Sequence, residues 1–360
     1  MNLARLWTIA RLELVQRMRT VSWFVLLGIF ATLLAGVTLL SFFAFQRTEQ
    51  SGAAIYSTVV YITLLLVILV SPTLSGNSIN GDRDAATLAP VQVTLVTTGE
   101  ILLGKFLAAW ITGLAFAVVA VPFLVIASFG GGVQAATVLV SLAILVLETG
   151  IIAAIGIAMS GILPRPLFSV AATYLVVAAL AIGSVIGFGL VGASITSEAT
   201  NSYRTAVYDD TSGEPECKAG AENCWNDPEE MVCGEWQVDT WHVPRFDYVW
   251  WMLAANPFVI LADATPTQFD RQGNAVDAFG ALKFGVRSAQ LPPELEQRWD
   301  ECAPYEEQLF PNAREVIGKT VPSWFVGLGV QIALAAALLW WAWARTRTPA
   351  RQLPPGTRIA

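Results

Sequence analysis

The chain has 360 residues and a formal net charge of −7; 55% of its residues are hydrophobic and only 14% are charged. Because a soluble domain is about a quarter charged, this composition excludes an ordinary soluble protein and indicates a chain largely solvated by lipid. The acidic residues are concentrated, with 22 of the 28 lying between Thr196 and Pro322, and no basic stretch is dense enough to predict nucleic-acid binding.

The first 20 residues predict an amphipathic helix at the membrane surface. Leu3, Trp7, Ala10, Leu14 and Met18 fall on one helical face, and the same 20 residues contain four arginines, at positions 5, 11, 17 and 19. A cleavable signal peptide is the alternative interpretation. It is disfavoured because four arginines and a glutamate precede the apolar run and no small-residue cleavage site follows that run.

Six apolar runs are long enough to span a membrane, since about 20 apolar residues cross a hydrocarbon core roughly 30 Å thick. Five of them lie within residues 21–195, and the sixth lies within residues 323–345. The predicted runs are approximately Val21–Phe45, Ile55–Leu74, Ile101–Ser128, Val133–Leu163, Leu167–Val191 and Trp324–Trp343.

The basic residues predict which ends of these spans face the cytoplasm. The four N-terminal arginines, the Asp82–Asp84 loop, Arg165 and the basic tail at residues 346–360 all fall on one side when the spans alternate in direction. Cationic short loops and span edges favour the cytoplasm. We therefore expect a multi-pass protein of the plasma membrane with both termini cytoplasmic and residues 196–322 extracytoplasmic.

The block at residues 196–322 contains all four cysteines of the chain, Cys217, Cys224, Cys233 and Cys302. An even number of cysteines confined to one polar region predicts two disulfides in an oxidising compartment. Their spacing leaves three connectivities open. A zinc site is the rival interpretation, but the close cysteine pairs typical of such sites are absent, so we expect no metal.

Together these features predict an all-α polytopic membrane protein. It has six transmembrane helices, an N-terminal interfacial helix, and a disulfide-containing extracytoplasmic domain between helices five and six. Within that domain, residues 249–264 form an apolar stretch that Asn256-Pro257 interrupts. This stretch predicts a short helix that dips into the outer leaflet or packs on top of the bundle.

The segment Gly99–Lys105 is one hydroxyl short of the phosphate-binding pattern G-x-x-x-x-G-K-[ST], because Phe106 occupies the last position. A phosphate loop also requires a preceding strand and a magnesium-binding Ser or Thr. Here the residues that follow enter a membrane span instead. We therefore predict that the chain is not an enzyme and does not hydrolyse ATP by itself.

The stretch Ser71–Trp110 resembles the region between the second and third spans of ABC-2 type transporter permeases. That family has an E-R-E-x-G-T-L run, a proline, an interfacial helix and a G-K pair that opens the third span. Here the run is Asp82-Arg83-Asp84-Ala85-Ala86-Thr87-Leu88, then Pro90 and Gly104-Lys105, with aspartates for the glutamates and alanine for the glycine. The amphipathic helix, the Asn256-Pro257 segment and the six spans also resemble the family.

The resemblance implies a permease that is driven by a separate ATP-binding subunit, in which ATP and Mg are bound. A coupling helix at about residues 80–98 would dock on that subunit, and a second permease subunit, identical or homologous, would complete the transporter. If the cargo runs between the two subunits, it would be amphipathic or lipid-like, because such a path is apolar. The aromatic content and predicted disulfides of the outer block indicate a lid or a docking surface for an extracytoplasmic partner. The residues implied in coupling are Asp82, Arg83, Asp84, Thr87, Leu88 and Pro90.

Two further residues are candidates for chemistry. Glu148 lies in the middle of the fourth predicted span, where a carboxylate is costly and faces a partner, water or the bundle interior. It can contact cargo, carry a proton or form a structural hydrogen bond. The single histidine, His242, lies in the outer block and more often packs at a surface than catalyses. An intramembrane enzyme is disfavoured because these two residues are expected at different depths.

A function of another class remains as the alternative. A membrane-anchored sensor or scaffold would use the outer domain to bind a ligand or partner without any transport. The two hypotheses differ in what they expect of residues 82–88, since only the permease requires them.

Overall fold

The computed structural model describes residues 2–46, 50–84, 97–209, 213–219, 224, 230–303 and 311–346. Within these residues the chain is mostly helical, and six helices are long and apolar enough to cross a membrane. All six spans predicted above coincide with these helices, and the observed helix ends differ from the predicted ones by a few residues.

The N-terminal half consists of a surface helix and four spans. Asn2 caps the first helix through its side chain, which accepts from the N–H of Ala4. The helices are α1 (Leu3–Met18), α2 (Val21–Phe45), α3 (Ser51–Ser75), α4 (Ser78–Asp84), α5 (Thr98–Ser128) and α6 (Ala135–Ile162). Helices α3 and α4 form one nearly continuous second span.

The fifth span contains an irregularity that its apolar sequence does not predict. It runs as α7 (Pro166–Ala178), a π-helical turn (Ala179–Gly183) and α8 (Ser184–Ser194). It begins at Pro166, the last residue of the Pro164-Arg165-Pro166 corner, because proline is favoured in the first helical turn and disfavours helix in the residue before it.

The second and fourth spans form the centre of the bundle. In each of them 61% of the most apolar stretch is buried, against 11–33% for the other spans. Small residues permit this packing: a Cβ on Gly156 would overlap the Ser75 hydroxyl of the second span. The core around them includes Phe30, Tyr56 and Phe116.

Residues 196–303 include a three-stranded sheet, so the expectation of an all-α protein was wrong in this region. The strands are β1 (Thr196–Arg204), β2 (Gln237–Pro244) and β3 (Glu296–Asp300), in the order β2-β1-β3. Strand β1 pairs antiparallel with β2 and parallel with β3. Their β-branched and aromatic residues favour strands, a signal hidden by the polar composition of the block.

The stretch 249–264 is also less regular than predicted. Its first part forms a 3-10 turn (Trp250–Leu253), and only Pro257–Ala264 forms an α-helix, α9. Helix α9 packs against the fourth and sixth spans. The chain continues through α10 (Ala278–Ser288) and α11 (Ala313–Lys319) to the sixth span, α12 (Trp324–Thr346).

Because successive spans alternate in direction, the bundle has two ends. One end carries α1, α4 and the Pro164–Pro166 corner, and we call it the α1 end. The other carries the sheet, α10 and the turn at Gly131 and Gly132, whose φ of 77° favours glycine. We call it the sheet end.

Candidate functional site

The segment Gly99–Lys105 lies inside α5, so its backbone is helical and does not form a phosphate-binding loop. Its second glycine has a different role. A Cβ on Gly104 would lie 2.9 Å from side-chain atoms of Ile9 and 3.1 Å from the Leu6 carbonyl oxygen. The absence of a side chain at Gly104 therefore permits the close packing of α1 against the third span.

Lys105 is the centre of an ionic cluster at the α1 end, although only 3% of it is exposed. Its Nζ lies 3.0 Å from Glu13 Oε2 on α1 and 2.8 Å from Asp82 Oδ2 on α4. It also donates to the Ser78 carbonyl at 3.0 Å. We call Glu13, Arg17, Ser78, Asp82 and Lys105 the Lys105 cluster; it joins the surface helix, α4 and the third span.

The second carboxylate oxygen of Glu13 extends this cluster. It accepts from Arg17 at 3.2 Å and from the Ser78 hydroxyl at 3.3 Å, and Arg17 also donates to the Leu74 carbonyl at 2.8 Å. Burial raises the pKa of Glu13, but the positive charges of Lys105 and Arg17 outweigh that effect and leave it below its usual value. Glu13 is therefore ionised at neutral pH, and its carboxylate attaches α1 to the second and third spans.

A second link attaches the beginning of α1 to the same span. Glu100 is buried and forms a capping box with Thr97 at the N-terminus of α5. Its other oxygen accepts from the backbone N–H of Asn2 at 2.6 Å. The beginning of α1 is thus fixed by Glu100, and its C-terminal half is fixed by Glu13 and Arg17.

Asn80 is the centre of a polar junction between α4 and the fourth and fifth spans. Its side-chain amide donates to the Leu163 carbonyl at 2.8 Å and to the Ser169 hydroxyl at 3.0 Å. The Ser160 hydroxyl accepts from the backbone N–H of Asn80 at 3.1 Å. Arg83 completes the junction by donating to Asn80 Oδ1 at 3.0 Å and to the Gly161 carbonyl at 3.1 Å.

The residues predicted to act in coupling therefore have different surroundings. Asp82 belongs to the Lys105 cluster, Arg83 belongs to the Asn80 junction, and Asp84 is exposed at the end of α4. Of the helix predicted over about residues 80–98, the described residues include α4 as far as Asp84 and the start of α5; residues 85–96 lie outside the described ranges. Thr87, Leu88 and Pro90 lie outside the described residues.

A buried ionic cluster at the sheet end has no counterpart in the predictions. Asp263, at the end of α9, accepts from Arg287 Nε at 2.7 Å. Its other oxygen accepts from the backbone N–H groups of Ser323 and Trp324 at 2.7 and 3.0 Å. Asp263 therefore caps the sixth span, and a negative group is favourable at that helix end. We call Asp263, Arg287, Ser323 and Trp324 the Asp263 cluster.

Two ionisable side chains beside this cluster are shifted by burial. Lys283 donates to the Thr265 carbonyl at 2.7 Å, and burial lowers its pKa. Asp277 caps α10 by accepting from the N–H of Gly280 at 2.7 Å, and burial raises its pKa. The acidic composition of residues 196–322 does not indicate that four of its charged residues are buried. For this reason the sequence analysis did not predict the cluster.

Asn256 connects the start of α9 to the irregular turn of the fifth span. Its amide donates to the Ala181 carbonyl at 2.7 Å and to the Ser184 hydroxyl at 2.9 Å, while its Oδ1 accepts from the N–H of Phe258. A π-helical turn leaves a backbone carbonyl without its regular partner, and Ala181 lies in that turn. The Asn256-Pro257 pair thus fixes the fifth span to α9.

The remaining candidates are far apart. Glu148 is fully buried within the fourth span, beside Gln331 of the sixth. His242 is exposed on β2, opposite Glu198 in the strand register. The structure does not bring these two residues together. Within the described ranges, no group of three or more His, Cys, Asp or Glu is arranged to hold a metal ion.

The four cysteines form two disulfides, as predicted, and the structure selects one of the three connectivities. Cys217 pairs with Cys224 and Cys233 pairs with Cys302. The zinc interpretation is thereby excluded for these residues. The second bond joins the segment before β2 to the end of β3.

Comparison with known proteins leaves the family open: no protein-family model matches the chain, and no curated protein is significantly similar to it. The arguments for function therefore depend on the residues and contacts described above.

Proposed function

We propose that this chain is the membrane-spanning permease subunit of an ATP-driven ABC-2 type exporter. The single observation that supports this most is the attachment of α4. Through Lys105 and Asn80 this short helix contacts α1 and the third, fourth and fifth spans. A force applied where α4 ends, at Asp84, would therefore move most of the bundle as one body.

In this proposal the α1 end faces the cytoplasm. The described cations at this end support that orientation, because basic residues in short loops and at span edges are retained on the cytoplasmic side. The disulfides at the opposite end support it independently, because they persist in oxidising compartments. The ATP-binding subunit would dock on Asp84 and residues 85–96, supplying ATP and Mg.

A second permease subunit and an amphipathic or lipid-like cargo complete the proposal. The fifth span supports both, because it has the smallest buried share of the six spans and keeps a wide apolar face open. A face of this kind suits contact with lipid, with cargo or with another transmembrane helix.

The experiment is purification of the chain from its native membranes in mild detergent, followed by mass spectrometry of the proteins that accompany it. Asp84→Arg and Leu88→Asp are the test variants, because Asp84 is exposed and its replacement leaves the Lys105 cluster intact. Glu198→Arg, an exposed acid at the sheet end, is the matched control. We expect an ATP-binding subunit with the wild type and the control, and its loss with both test variants.

Absence of any ATPase in several detergents would overturn the permease proposal and favour the membrane-anchored sensor or scaffold. An ATPase that stays bound to both test variants would instead exclude residues 84–88 as its docking site.

A further inference from the structure

The centre of the bundle contains a polar pair that the proposed function does not use. Glu148 is the 14th of the 28 residues of α6, so about 20 Å of helix separates it from either end. It is fully buried, and Gln331 of the sixth span, 1% exposed, is the polar side chain that faces it. The fourth and sixth spans pack extensively along this contact.

The hydrogen bonds around this pair are incomplete. Neither carboxylate oxygen of Glu148 has a donor in bonding geometry, and the Oε1 of Gln331 also has no partner. The amide orientation of Gln331 is defined, because its Nε2 donates to the Ala255 carbonyl at 2.9 Å. The remaining N–H of that amide can satisfy one of the two Glu148 oxygens, but it cannot satisfy its own Oε1. Buried polar groups in native proteins are almost always satisfied.

A neutral carboxyl group resolves this imbalance. When Glu148 carries a proton, its hydroxyl becomes a donor to Gln331 Oε1, and its carbonyl accepts the remaining N–H of Gln331. These two hydrogen bonds would close a ring between side chains that face each other in the structure without being bonded. An ionised carboxylate cannot form this ring, because its second oxygen would face Oε1 with no hydrogen between them.

We propose that Glu148 and Gln331 form an intramembrane proton-binding site, a cyclic carboxylic acid–amide pair that joins the fourth and sixth spans in their packed arrangement. The ligand is a proton taken from water onto the carboxylate of Glu148. This site goes beyond the proposed function and does not depend on an ATP-binding partner.

No other charge in the described part of the chain is near enough to replace the proton. The helices that pack against α6 carry their charges at their ends, in the Lys105 cluster, at Glu100, in the Asn80 junction and α4, at Arg345 and in the Asp263 cluster. The tyrosines on these helices have other surroundings: Tyr56 bonds to Ser141, Tyr174 donates to the Leu69 carbonyl, and Tyr61 packs on Phe279.

The site links proton binding to the closeness of the two spans. Ionisation of Glu148 breaks the ring and leaves a charge in an apolar interior, which is unfavourable unless water or a cation reaches it. The anion is therefore favoured when the fourth and sixth spans separate and water enters. Proton uptake favours the packed arrangement, and proton release favours separation.

The test is infrared difference spectroscopy of the full chain in lipid at neutral pH, comparing the wild type with Glu148→Gln. Glutamine at position 148 can form an amide–amide ring with Gln331, so this variant should fold. We expect it to lose the carbonyl-stretching absorption of one protonated carboxylic acid per chain. Loss of a carboxylate-stretching absorption instead would overturn the proposal, because Glu148 would then be ionised in the packed bundle.

Glu100→Gln is the matched control, since Glu100 is also inaccessible to solvent but lies at the end of its span and accepts from two backbone N–H groups. That variant should lose a carboxylate absorption, which establishes that the measurement detects a single buried acid. Gln331→Leu tests the pairing itself: it should keep the protonated carboxyl but shift its carbonyl absorption to higher frequency. An unshifted band would exclude Gln331 as the partner.

Discussion

Single glycines determine how closely α1 approaches the bundle. Gly104 and Gly99 are both in the first two turns of α5, but only Gly104 faces α1; a Cβ at Gly99 would meet nothing within 4 Å. This difference provides a matched pair of substitutions in one helix.

We predict that Gly104→Ala destabilises the docking of α1 by about 1–3 kcal/mol, because the added Cβ meets the Leu6 backbone as well as Ile9. Hydrogen–deuterium exchange should increase over residues 3–18. Gly99→Ala should leave that exchange unchanged, because a Cβ at this position meets nothing within 4 Å. Alanine also favours helix by up to about 1 kcal/mol over glycine, so α5 itself is not weakened. Equal exchange in the two variants would contradict the proposed packing role of Gly104.

The charge of Glu13 makes the Lys105 cluster sensitive to acid. Its pKa lies below the usual value, so its contribution to stability is present above the unfolded-state pKa of about 4.3 and is lost as the pH falls through the lower, folded-state value. We predict that the stability difference between the wild type and Glu13→Gln is largest near neutral pH. It should shrink progressively below about pH 4, as followed by unfolding in detergent at several pH values.

Lys105→Met gives the complementary measurement for the same cluster. It removes the cation between Glu13 and Asp82 and leaves Glu13 paired with Arg17 alone, so in this background Glu13→Gln should destabilise the protein less than it does in the wild type. An equal loss of stability in both backgrounds would show that Glu13 and Lys105 are not coupled.

At the scale of elements, the Asp263 cluster connects α9, α10 and the sixth span. We predict that Asp263→Ala destabilises the sheet end by about 3–5 kcal/mol, because it leaves Arg287 as an uncompensated buried charge. Hydrogen exchange should rise in α9 and at the start of α12. The measurement is the unfolding free energy together with exchange in these two helices.

The double variant Asp263→Leu with Arg287→Met is the control for this prediction. Removing both charges abolishes the unpaired cation, so the double variant should be more stable than Asp263→Ala alone. If the double variant lost as much unfolding free energy as the two single variants together, Asp263 and Arg287 would not act as a buried pair.

Elements with a strong apolar signal were predictable from the sequence, whereas contacts between distant segments were not. Runs of about 20 apolar residues identify the six spans, and the arginine-rich pattern identifies α1. The Lys105 cluster joins residues 92 positions apart, and no local pattern indicates such a pairing. The sheet was missed because one of its strands pairs in parallel with a segment some 96 residues away.

The irregular elements have a similar explanation. The π-helical turn depends on the Asn256 amide, which reaches Ala181 across 75 positions. The Asp84 end of α4, predicted to contact a partner, was identified by resemblance alone, because a short charged loop has no distinctive physical pattern.

At the scale of the whole molecule, the polar contacts form three layers. The Lys105 cluster and the Asn80 junction lie at the α1 end, the Glu148–Gln331 pair lies at the centre, and the Asp263 cluster lies at the sheet end. The fourth span takes part in the first two layers and the sixth span in the last two. A displacement of α4 would therefore reach the sheet end along the fourth span, across the Glu148–Gln331 contact and along the sixth span.

The two disulfides should contribute unequally to the stability of the sheet end. Cys233 and Cys302 are separated by 69 positions, a stretch that contains the sheet edges, α9 and α10, whereas Cys217 and Cys224 are only seven apart. Closing the longer loop removes more conformational entropy from the unfolded chain; the chain-entropy relation gives about 4.4 kcal/mol against about 2.4 kcal/mol.

We therefore predict that replacing Cys233 and Cys302 by serine lowers the unfolding free energy of residues 196–322 by roughly 2 kcal/mol more than replacing Cys217 and Cys224. Hydrogen exchange in β1 and α10 under increasing denaturant provides the measurement, with the wild type under reducing conditions as reference. The first pair of substitutions should also increase exchange at the start of α12, because Asp263 and Arg287, which hold that helix end, lie within the longer loop. Equal losses would mean that the contacts of α9 with the spans, rather than the disulfide, hold that segment in place.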